Sequence, residues 1–83
     1  MELFTITQNN DQEWHTLNVE LFLDLKTAVS NWNKKMIFNN SRLWQVSEVE
    51  ESLKEDGFVL FTYKDTFGRK WATELTKTKI TTR

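Results

Sequence analysis

Hydrophobic and polar positions change period several times along this chain, and each change marks an element. Glu2 to Thr7 alternates, with Phe4 and Ile6 on one side and Leu3, Thr5 and Thr7 on the other. That period of two predicts a strand. Leu17, Val19, Leu21 and Leu23 alternate with Asn18, Glu20 and Phe22, which predicts a second strand. The two form a hairpin if the Asn-rich stretch from Gln8 to Glu13 turns. An alternative reading opens a helix within Glu20 to Leu25.

From Asp24 onward the period lengthens. Leu25, Ala28, Val29, Trp32 and Met36 fall at helical spacing. Asp24 suits the N-cap, because its carboxylate can accept from free first-turn amides. Lys34 and Lys35 suit the negative end of the helix dipole. The spacing therefore predicts a helix from Asp24 to Met36. Ile37-Phe38 and Arg42 to Val46 read as extended segments flanking an Asn39-Asn40-Ser41 turn. Ser47 and Glu50 have the form of a capping box, and Val49 and Leu53 lie four apart on one face. A short helix ending before Gly57 is preferred there over a strand turning at Glu55 to Gly57.

The last segment has the sharpest pattern. Asp65-Thr66-Phe67-Gly68 places Asp where a type I turn favours it and Gly where a left-handed bulge residue is needed. The resulting register pairs Tyr63 with Trp71, Phe61 with Thr73 and Val59 with Leu75. One face of the hairpin is then apolar, which the one-residue slip would lose. The other face carries Phe58, Leu60, Thr62 and Lys64 beside Lys70, Ala72, Glu74 and Thr76. Lys64 faces Lys70, and like charges across a strand pair are unfavourable. Stability alone would not select that pair.

The fold class expected is α+β. A small antiparallel sheet, made of N-terminal strands and the C-terminal hairpin, packs on one main helix, with a second short helix. The 83 residues make one small domain, with residues 76–83 a frayed basic tail or an extension of the last strand. A domain this size buries only about 60% of its unfolded surface. With no cysteine, disulfides and thiolate metal sites are excluded as supports, and with one histidine a structural zinc site is not expected. Four Trp, six Phe and one Tyr remain to fill the core.

Net charge is −1, but it is banded. Met1 to Asn33 carries five acids and one base, and Lys34 to Trp44 three bases and no acid. Gln45 to Asp56 carries five acids and Lys54, and Gly57 to Arg83 six bases with Asp65 and Glu74. The bands either neutralise one another in the fold or present a basic strip to an acidic partner.

No residue pattern points to catalysis. His15 is the only imidazole. Glu50-Glu51 and Glu55-Asp56 suit a solvated helix face better than paired acid–base chemistry. Gly57 and Gly68 are the only glycines and cannot cradle phosphate. No cofactor and no metal is expected. Lys54 to Phe61 is similar to the first ribonucleoprotein signature of RNA-recognition motifs at Lys54, Gly57, Phe58, Val59 and Phe61. Glu55 stands where that signature has glycine, and Asp56 where it has a base-stacking aromatic. A hairpin follows instead of a helix, so the likeness is read as accidental.

The expectation is a non-enzymatic protein-binding domain. Its candidate contact residues are Lys64, Phe67, Arg69, Lys70 and Trp44, with Trp14 a further exposed aromatic. The Asn-, Thr- and Lys-rich composition suggests a bacterial or phage-encoded regulator or inhibitor. Nucleic-acid binding through the basic hairpin is one alternative, although a pI near 5.8 opposes it. A structural homo-oligomer joined by sheet edges is another. No apolar run is long enough to span a membrane, and Met1 to Thr7 does not resemble a signal peptide. A cytoplasmic location without a membrane partner is therefore expected.

Overall fold

The computed structural model of the protein describes residues 1–10 and 18–79. Their elements run β1 (Glu2–Asn10), β2 (Asn18–Phe22), α1 (Leu25–Phe38), α2 (Val46–Glu55), β3 (Phe58–Lys64) and β4 (Lys70–Lys79). The strands form one antiparallel sheet in the order β2-β1-β4-β3. The architecture is the expected α+β, with the longer helix packed on the sheet.

β1 runs three residues beyond its predicted end. Gln8, Asn9 and Asn10 were expected to turn, but they pair with Thr73, Ala72 and Trp71. The long partner strand β4 supplies a ladder that local turn preference does not outweigh. The rest of the predicted turn, with Trp14, His15 and Leu17, lies outside the described residues. At the other end β4 continues to Lys79, opposite Glu2, so residues 76–79 extend the strand.

α1 starts as expected. The Asp24 carboxylate accepts from the Lys26 and Thr27 amides at 3.2 and 3.1 Å. It ends later than expected, because Ile37 and Phe38 are helical rather than extended. Nothing breaks the helix before Asn39. There Asn40 takes a left-handed φ of 55°. Its amide donates to the Ile37 carbonyl at 3.0 Å, and that of Ser41 to Met36 at 2.7 Å. This is the Schellman closure, with Asn in the place usually held by glycine.

α2 is a helix, as preferred, but its capping pair lies two residues earlier than Ser47 and Glu50. Gln45 is the N-cap, and its amide donates to Glu48 Oε1 at 2.9 Å. Arg42 donates to the same carboxylate at 3.2 Å, which favours the earlier start. Residues 41–45 carry no regular structure, although extension was expected for Arg42 to Val46. Asn33 holds this connection, accepting from the Trp44 amide at 2.8 Å and donating to its carbonyl at 2.9 Å. Gly57 follows α2 with φ 81°, a conformation glycine adopts without strain.

The β3–β4 register is the expected one throughout, from Val59–Leu75 to Lys64–Lys70. Phe4, Ile6, Val59 and Leu75 form the floor of the core. Ala28, Val29, Trp32 and Met36 of α1 and Val49 and Leu53 of α2 cover it. Trp32 is wholly buried and meets Trp44 edge-on, ring centroids 6.3 Å apart. Among the described residues no helix packs on the opposite sheet face. That face exposes Val19 and Leu21 at one edge and Phe58 and Leu60 at the other.

Candidate interaction site at the hairpin tip

The helix-facing side of β3 and β4 changes character along its length. Val59, Leu75 and Thr73 are buried, whereas Tyr63 and Trp71, one or two pairs farther out, are only half-buried. The sequence places Val59, Leu75, Tyr63 and Trp71 on one apolar face. They do share one side, but the tip continues past the core. An aromatic stack bridges the two parts. Phe61 and Tyr63 lie 5.7 Å apart, and Tyr63 and Trp71 lie 6.2 Å apart with rings 6° from parallel. Burial pushes the Tyr63 phenol above its ordinary value, with a hydrogen bond to Asn39 opposing the shift.

The turn itself closes by two backbone bonds. Gly68 N–H donates to the Asp65 carbonyl at 3.1 Å, and Asp65 N–H to the Arg69 carbonyl at 3.0 Å. Gly68 takes φ 81°, as the bulge requires. The Asp65 carboxylate then gathers four donors. Oδ1 accepts from the Phe67 and Arg69 amides at 2.9 and 3.0 Å. Oδ2 accepts from Arg69 Nε and Trp71 Nε1, both at 2.9 Å. The Trp71 indole bond, followed by the Arg69 and Phe67 amides and the Arg69 side chain, lowers the Asp65 carboxyl to about 2, against a smaller opposing effect of burial.

Arg69 therefore does two things. Its Nε is tied to Asp65, and its guanidinium carbon lies 5.5 Å from the Phe67 ring centroid and 5.9 Å from that of Trp71. Both contacts are within cation–π range. Phe67 itself is 81% exposed. On the helix-free side, Lys64 and Lys70 face one another as the register requires. Beside them Asn9, Asn10, Tyr63 and Trp71 help line an open groove of about 770 Å³.

Of the five residues singled out from sequence, Lys64, Phe67, Arg69 and Lys70 lie together at this tip. Trp44 lies apart, in the helix layer, against Trp32, with Arg42 4.2 Å above its ring. Asp65 was read only as a turn former. Its larger role is detectable once the register is set, since Arg69 at the end of the turn and Trp71 on β4 fall four and six residues later. Among the described residues no group of three or more His, Cys, Asp or Glu side chains could hold a metal. No described helix is long and apolar enough to cross a membrane. No protein-family model, curated protein or solved structure matches this chain.

Proposed function

We propose that the chain is a small protein-binding domain that engages an acidic, partly apolar surface of another protein through the tip of β3–β4. The observation that carries this reading is Phe67, almost fully exposed on a turn whose backbone is fixed by Asp65. An ordered loop loses little freedom on association, so its contacts convert more fully into affinity. Aromatic and arginine side chains are the usual anchors of such contacts. Lys64 and Lys70 add positive charge that folding does not require. A bacterial or phage-encoded regulator of another protein is the form of activity that fits these features.

The test is capture of partners from a lysate by the immobilised chain and by two variants, Phe67→Ala and Lys64→Glu/Lys70→Glu. Both substitute exposed side chains. Loss of the same captured protein in both variants is the expected result. Equal capture by wild type and variants overturns the assignment of the surface. The facing lysines beside Phe67 also support a second reading, in which the tip follows a phosphate backbone and stacks on a base. Anisotropy titration with single- and double-stranded oligonucleotides separates the two. Phosphate-driven binding is strongest at low salt, so no binding there removes the second reading.

A further inference from the structure

Among the described residues the sheet ends at two edge strands, β2 and β3, and they are built differently. β2 is five residues long, and Glu20 on its helix-facing side is ion-paired with Lys35 of α1. A short strand with an inward-pointing charge is a usual means of keeping other strands from adding to an edge. β3 is seven residues long, has no proline, and carries no charge before Lys64. Asp65 N–H bonds to Arg69 across the pair, so the residues at odd positions, Val59, Phe61 and Tyr63, turn their backbone toward β4. Phe58, Leu60, Thr62 and Lys64 turn theirs outward. None of the four has a backbone hydrogen bond beyond the sheet among the described residues. Phe58 and Leu60 are 41% and 48% exposed on the side without helices.

We propose that the free edge of β3 is a docking site for a second copy of this chain, paired antiparallel about a twofold axis at Phe61. Charge selects this occupant and this direction. Glu55 and Asp56 precede the strand, whereas Lys64 ends it and Lys70 stands beside that end. Antiparallel pairing brings the acidic end of each copy to the basic end of the other; parallel pairing would put like ends together. With Phe61 opposite Phe61, Leu60 meets Thr62 and Phe58 meets Lys64, so all seven residues are paired. Lys64 of one copy then comes to the start of β3 in the other, where Asp56 closes α2 just before the strand.

The assembly is closed. Two sheets joined at β3 make one sheet of eight strands whose outer edges are both β2, each guarded by Glu20 and Lys35. Association stops at two copies, as an isologous interface requires. This interface does not use Phe67 but shares Lys64 with the partner surface above; sedimentation of the isolated chain reads the dimer alone, and Phe67→Ala reads the partner surface without touching β3.

Sedimentation of the full chain over a wide concentration range is the test. The mass should rise from 9.9 kDa to twice that value and no further. Leu60→Pro removes an outward N–H at a position where an edge strand tolerates proline, so the variant should remain folded and monomeric. If Leu60→Pro does not fold, the exposed charges decide the matter. Lys64→Glu should weaken dimerisation by about tenfold, and Lys64→Glu/Asp56→Lys should restore it. A chain that stays monomeric at every concentration overturns the proposal. So does a dimer unchanged in folded Leu60→Pro, or one indifferent to the charge exchange.

Discussion

The two halves of the β3–β4 hairpin are held by different forces. At its base, Val59, Thr73 and Leu75 lie under α1 and α2, and apolar burial fixes them. At its tip the strands are half-buried or exposed, and the Asp65 carboxylate organises the chain through four hydrogen bonds. The difference shows how a small domain presents an ordered surface without burying it. A tip held by packing would have to hide Phe67 to fix it. A tip held by a central acceptor can leave Phe67 in solvent and keep the turn in one conformation.

The largest effect should come from the base. Leu75→Ala leaves a cavity in the fully buried core and should cost about 2–5 kcal/mol in a denaturant titration. A cost well below that range would mean that the base does not depend on packing. Asp65→Ala should lower stability less while acting more locally. Hydrogen exchange at the Phe67 and Arg69 amides should accelerate, because both donate to Asp65 Oδ1, and exchange at Leu75 should not change. Acceleration along all of β4 would show that base and tip are one unit.

Acid should separate the halves in a direction set by the depressed Asp65 carboxyl. The folded tip favours the ionised form, so the unfolded tip binds more protons in the intervening window. Its contribution is fully present above the ordinary value of 3.8 and is lost as pH falls through about 2. The Trp71 indole N–H resonance should report that loss. The smallest effect belongs to Phe67→Ala, which should change stability by no more than about 0.5 kcal/mol, because the side chain is exposed. A larger loss of stability would assign Phe67 to the fold rather than to recognition.

Much of the base was readable from residues alone. The Asp65-to-Gly68 turn chemistry selects one register, and the apolar positions on one side agree with it. Asp24 and the stripe from Leu25 to Met36 likewise mark α1 by local chemistry. What local chemistry lacks is the reach of one element over another. Tyr63 and Trp71 have the same alternation as Val59 and Leu75, yet they are half-buried because the helix layer stops short of them. Gln8 to Asn10 resemble a turn until the length of β4 is known. Ser47 and Glu50 compete with Gln45 and Glu48 for the start of α2, and the Arg42 contact that favours the latter lies outside both capping patterns. Val19 and Leu21 alternate as a buried set would, but the side without helices receives them.

Asp65, and not burial, orders the tip. Backbone ¹⁵N relaxation at Phe67 and Gly68 tests it most directly, in the wild-type chain and in Asp65→Ala. Order parameters should be about 0.85 in the wild type, as in rigid backbone, and fall below about 0.6 in the variant. A wild-type tip already below about 0.6, or one unchanged by Asp65→Ala, would contradict it.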